Sequence, residues 1–129
     1  MNLTSIAAVF LGGGLGSTAR YLLGFGINKW SAVMPWSTLA ANVLATGILA
    51  LIWKHAPHLS QSTWGLLWMT GFCGGFSTFS TFSLDTFHLY QNHGWSVALL
   101  NVLFSVVACL GLLAWVLSTQ VEEGGLGNG

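Results

Sequence analysis

Along the chain, apolar residues come in four long blocks divided by short polar or breaker-rich segments. The blocks run from about 3 to 25, 36 to 53, 64 to 89 and 95 to 117. A helix needs about 20 residues to cross the hydrocarbon core of a bilayer, with a range of about 17–25. All four blocks meet that length, the second only barely. The connections are Asn28–Pro35, Lys54–Thr63 and Tyr90–Gly94. Trp30, Trp36, Trp53, Trp64, Trp95 and Trp115 fall near block ends, where amphipathic rings anchor helices at the headgroups. The tail from Ser118 to Gly129, ending Gly-Gly-Leu-Gly-Asn-Gly, is expected to be disordered. The pattern predicts an all-α membrane protein, with residues 1–129 forming a single four-helix transmembrane domain.

Composition agrees and excludes the rest. Charged residues make up 5% of the 129 positions, against about 25% in a soluble domain. Hydrophobic residues make up 53%. A soluble enzyme lacks its polar exterior here, a disordered segment its low hydrophobicity, a nucleic-acid binder its basic patch. Cys73 and Cys109 lie within apolar blocks and read as reduced packing residues, not a disulfide framework. Met1 to Ser5 holds no Lys or Arg, so the start does not read as a cleavable signal. The first block is expected to stay in the mature protein.

Charge position sharpens the picture. With four spans, the N-terminus, Lys54 and the C-terminus share one side. Lys29, and Arg20 near the end of the first span, belong to the other. Orientation follows the Lys/Arg bias between sides, and here that bias is almost nil. Insertion in both directions, and with it an antiparallel dimer, is one reading. A single orientation imposed by the insertion machinery is the other.

Several polar or small residues sit inside the spans. Gly12 and Gly16 form a G-x-x-x-G pair that lets another backbone approach closely. Arg20 follows one turn later. It either snorkels to the headgroups or faces a water-filled vestibule, where it concentrates anions. Asn42 in the second span loses water on burial and wants a partner. It either bonds another helix or lines a pore, where its NH2 donors suit an anion. Asn101 in the fourth span raises the same question, with interhelical bonding the preferred answer. The four histidines, His55, His58, His88 and His93, fall in or beside loops, and the His55–His58 pair lacks further metal ligands.

The third span carries the densest signal, Gly71-Phe72-Cys73-Gly74-Gly75-Phe76-Ser77-Thr78-Phe79-Ser80-Thr81-Phe82-Ser83. Gly74 and Gly75 weaken helix propensity by about 1 kcal/mol each relative to alanine. Five hydroxyls follow within seven residues, interleaved with Phe79 and Phe82 on one face. A lipid-facing helix has no use for hydroxyls on nearly every side. Irregular backbone survives in a membrane only where it is buried or lines a cavity, and its freed carbonyls coordinate cations. A break at Gly74–Ser77 is therefore expected, with a small-cation site of backbone carbonyls. The alternative is a kink filled by serine hydroxyls. The edges of phenyl rings are electropositive. Two edges with amide and hydroxyl donors replace part of an anion's hydration shell without a full charge that would hold the ion too tightly. Such a site suits a small, strongly hydrated anion; core packing is the competing role for both rings.

With these residues in view, the chain resembles the CrcB-type (Fluc) fluoride channels, from Gly12 to about Leu117. The matching pieces are Gly12 to Tyr21, Thr38 to Asn42, Gly71 to Phe82, and Leu100-Asn101. The resemblance implies four membrane helices, the third broken in mid-membrane, assembled as a dual-topology antiparallel homodimer. It implies two fluoride pores per dimer, passive export that lowers cytoplasmic fluoride, and a place in the bacterial inner membrane as a multi-pass protein. By position, Phe79 and Phe82 look like the phenylalanines whose edges contact fluoride. Asn42 looks like the pore asparagine, and Arg20 like the vestibule arginine. Ser80, Thr81 and Ser83 would supply further pore hydroxyls. The carbonyls of Gly74 and Ser77 look like ligands of a structural sodium ion, two from each chain making a four-oxygen cage on the two-fold axis. Ser77 stands where the family commonly has threonine, which a carbonyl ligand tolerates. Ser37 stands where a glycine is common. Asp85 matches an acidic position without a firm role.

Other functions fit less well. A small dual-topology multidrug/proton exchanger shares the size and charge balance but needs a carboxylate in its first span, and this one has none. An intramembrane serine protease needs G-x-S-x-G with a helical histidine partner. The third-span serines lack that motif, and the four histidines fall in or beside predicted loops. A non-conducting subunit differs only in whether the purified protein conducts alone.

Overall fold

A computed structural model describes residues 1–27 and 33–125, with the backbone alone for 120–125. Lys29 and Trp30, on which part of the orientation and anchor readings rest, lie outside the described residues. Every element among the described residues is helical. α1 is Leu3–Ile27, and α2 is Trp36–His55. A 3-10 turn, Pro57–Gln61, leads into α3, residues 63–76, which joins Thr63–Gly65, Leu66–Cys73 and Gly74–Phe76 end to end. α4 is Phe79–His93, and α5 is Trp95–Gly125.

α1, α2 and α5 are each long and apolar enough to cross a membrane. At a rise of about 1.5 Å per residue, the 25 residues of α1 more than cover a core about 30 Å thick. α3 and α4 are each too short to do so alone. Together they form the third span, interrupted at Ser77–Thr78. α5 continues past Leu117 to Gly125, so the expected disordered tail is helical through 125; residues 126–129 lie outside the described chain. A helix once formed extends at low cost. Thr119, in its added turn, also receives a hydrogen bond from Lys54 Nζ at 2.6 Å.

α1 and α3 run parallel and touch backbone to backbone. A Cβ on Gly12 would lie 2.1 Å from the Leu67 carbonyl oxygen, and one on Gly16 would lie 2.2 Å from that of Phe72. On the opposing helix, a Cβ on Gly75 would lie 2.4 Å from the Gly13 carbonyl oxygen. The G-x-x-x-G pair of α1 thus meets a second one, Gly71 and Gly75, on α3. In α3, Leu66–Cys73 is wound wider than an α-helix, a bulge common at functional sites.

The buried core is small: Ala41 and Ala45 of α2 against Cys73 and Phe76 of α3. Large apolar side chains such as Phe10, Leu22, Phe104 and Trp115 are exposed instead. A water-soluble monomer does not expose apolar surface on this scale, and lipid is the solvent that accepts it. Trp36, Trp53, Trp64 and Trp95 are all exposed near helix ends, as anchors at the interface are.

Candidate functional site

The site is built around the break. Ser77 (φ −79°, ψ 157°) and Thr78 (φ −155°, ψ 121°) are extended, ordinary backbone for any residue. α3 closes with the Ser77 N–H and hydroxyl both donating to the Cys73 carbonyl, at 2.9 and 2.7 Å. α4 opens with Thr78 as its cap, Oγ1 accepting from the Thr81 N–H at 3.3 Å. Between the two, the Thr78 N–H donates across to Asn42 Oδ1 of α2 at 2.8 Å.

This last bond decides two things. A backbone N–H can be met only by the oxygen of an amide, so the Asn42 side chain has one orientation, with its two N–H donors left for something else. Second, helical geometry assigns the Thr78 and Thr81 N–H groups to the carbonyls of Gly74 and Ser77. Asn42 and the Thr78 hydroxyl take those donors instead. The two carbonyls anticipated as cation ligands are therefore released. Both residues line one hollow of about 180 Å³ with Ala45, Thr46 and Cys73. Neutral carbonyl oxygens suit a small hard cation. The intervening Gly75 carbonyl is occupied, accepting from Ser17 Oγ at 3.4 Å and Arg20 Nε at 3.3 Å.

The break falls at the C-terminal edge of the expected Gly74–Ser77 stretch. Gly74 and Gly75 are helical. Gly75 serves the contact with α1, and the interruption itself is made by the hydrogen bond from Thr78 to Asn42.

Asn42, Phe79 and Phe82 come together on a hollow of about 420 Å³, with Thr46 of α2 and Ser105 and Cys109 of α5. The two rings lie 5.7 Å apart at 45°. The expected hydroxyls are distributed differently. Thr81 lines a second hollow of about 300 Å³ with Arg20, Tyr21, Ser37 and Thr38. Ser80 and Ser83 are exposed and line neither. Ser80 Oγ pairs with Thr78 Oγ1 at 3.1 Å, and Ser83 Oγ donates to the Phe79 carbonyl at 2.8 Å. Arg20 lines the second hollow while its Nε holds Gly75, so it serves the α3 end as well, where a cation offsets the helix dipole.

Asp85 accepts a 2.6 Å hydrogen bond from the Thr38 hydroxyl, tying α4 to α2. Asn101, nearly fully buried, donates to Thr86 of α4, the interhelical bond preferred from sequence. Ser105 and Cys109 are the wall residues that sequence reasoning missed. Their signal was present: Asn101, Ser105 and Cys109 recur every four residues in a stretch, 97–117, that is otherwise apolar.

A family model described as "CrcB-like protein, Camphor Resistance (CrcB)" matches residues 7–117. The chain belongs to the CrcB-like family. The match takes in α1 from its second turn, α2, both halves of the broken span and α5 as far as Leu117, so every residue of the three hollows around the break falls within it. Among curated CrcB-like relatives, the "Fluoride-specific ion channel FluC" of Serratia proteamaculans (strain 568) is 43% identical over 125 residues, covering 93% of this chain and 98% of the relative. The protein of the same name from Nitrobacter winogradskyi is 44% identical over 117 residues, covering 88% and 92%. That of Escherichia fergusonii is 38% identical over 123 residues, covering 92% and 97%. The relatives' shared name is that of a channel, not of an enzyme.

Proposed function

We propose that this protein is a fluoride-selective channel that lets fluoride leave the cytoplasm passively. The observation that carries the reading is the 420 Å³ hollow, where the Asn42 amide and the Phe79 and Phe82 rings meet with no charged side chain among the described residues of the lining. With its oxygen engaged by Thr78, the amide offers only donors. Ring edges add partial positive charge. Together they stabilise a small anion without binding it too tightly to release. The relatives' names point to fluoride as that anion. Arg20 contributes a positive field at the adjoining hollow.

The working unit is an antiparallel homodimer with two pores. Phe79 is 79% exposed in the single chain, and Ser80 and Ser83 are exposed beside it. A second copy would cover these groups, and the balanced Lys/Arg distribution supports opposed insertion. The same symmetry would join the Gly74 and Ser77 carbonyls of two chains around a structural sodium ion. One chain supplies half of that four-oxygen cage.

The test is efflux from liposomes loaded with fluoride or chloride. Purified protein is expected to release fluoride quickly and to hold chloride. Fluoride efflux no faster than from protein-free vesicles would sink the channel reading. Exchanging sodium for a large organic cation during preparation is expected to weaken the dimer or its flux, and indifference to the exchange would remove the carbonyl cage.

A further inference from the structure

We propose that Asn101 is a positioning residue for the pore: through Thr86 it holds Phe82 against the wall that α5 contributes. The inference rests on the fluoride reading of the large hollow. Asn101 is 2% exposed and is not among the residues lining that hollow. Its Nδ2 donates to Thr86 Oγ1 at 2.8 Å, and Thr86 Oγ1 lies 2.7 Å from the Phe82 carbonyl oxygen. The direction of this relay is forced. An amide nitrogen can only donate, so the threonine oxygen accepts there and its single proton goes to Phe82.

A threonine in a helix divides between two rotamers because its hydroxyl can bond the carbonyl one turn back. Asn101 selects the rotamer that makes this bond. Such back-bonding often bends a helix locally, and the carbonyl engaged here is that of Phe82 itself. The same hydrogen bond pins α5 to α4 one turn before Ser105 and two turns before Cys109, both of which line the hollow together with Phe82. Asn101 therefore sets the distance between the ring from α4 and the wall from α5 without touching the ion.

The test uses full-length protein in vesicles with Cys73→Ala, leaving Cys109 as the single thiol. Fluoride efflux is measured alongside the labelling rate of Cys109 by a small methanethiosulfonate reagent, which reads the hollow without any flux. Asn101→Leu and Thr86→Val are each expected to lower fluoride efflux about tenfold, the scale of a small misplacement of a working group. Each is also expected to change the labelling rate clearly. The double variant should be no worse than the worse single one, because both break one relay. Thr86→Ser, which keeps the hydroxyl, should retain parental flux and labelling. Parental efflux and labelling in Asn101→Leu and Thr86→Val would overturn the proposal, as would additive losses. Failure of both variants and of the smaller Asn101→Ser to yield monodisperse protein would make the pair a folding contact and overturn it too. If the wild-type protein itself releases no fluoride, the fluoride reading falls, and Cys109 labelling in the Cys73→Ala background still decides whether the relay shapes the hollow.

Discussion

The third span is two regions of opposite design joined at Ser77. Before it, α3 lies on α1 with backbone against backbone, and Gly12, Gly16, Gly71 and Gly75 leave no room for a methyl. After it, α4 leaves Phe79 largely uncovered, and its hydroxyls bond one another or carbonyls of their own helix. The first region has one arrangement open to it, because tightly packed atoms have nowhere to move. The second holds its arrangement through side-chain hydrogen bonds, Thr78 to Ser80 and to Thr81, and Thr86 to Phe82. Rigidity before the break lets a few polar contacts define the geometry after it.

The largest effect is expected at the seam between α1 and α3. Gly16→Ala, whose added carbon would meet the Phe72 carbonyl at 2.2 Å, should destabilise the fold. The expected loss is about 3 kcal/mol, the upper range for overpacking. Loss of monodisperse protein on size exclusion, or a lowered unfolding midpoint, would show it; a stable Gly16→Ala would mean that the helices can part.

Asn42 joins the two regions, and two substitutions separate its roles. Asn42→Leu leaves the Thr78 N–H without an acceptor and should cost about 1–3 kcal/mol of stability. Asn42→Asp keeps the acceptor and removes the anion's donors, so the protein should fold and fluoride efflux should fall steeply. Equal efflux for Asn42→Asp and wild type would leave Asn42 a purely structural residue.

Phe79→Ile and Phe82→Ile should spare stability and lower fluoride flux by about tenfold, the factor corresponding to the upper range of one aromatic interaction. Unchanged flux in both would return the rings to packing. The smallest effect is expected for Ser105→Ala, a change of about twofold to threefold in efflux, since a neutral hydroxyl contributes well under a charged donor. A larger loss would move the centre of the site toward α5.

The chain's own pattern determined the features that depend on local composition. Four spans follow from runs of apolar residues, because the bilayer thickness sets the length directly. The approach of α1 to another backbone follows from Gly12 and Gly16, which offer no side chain to prevent it. An interruption in the third span follows from glycines and hydroxyls where lipid-facing residues belong. Tertiary structure alone decided where the chain breaks, because the acceptor that captures the Thr78 N–H is Asn42, 36 residues away. It also turned Arg20 toward the Gly75 carbonyl, separated Thr81 from the phenylalanines and brought Ser105 and Cys109 to the wall. Each of these is a hydrogen bond or a shared hollow between residues distant in sequence. Such partners are chosen by which helices touch and at what register, and no local pattern contains that information.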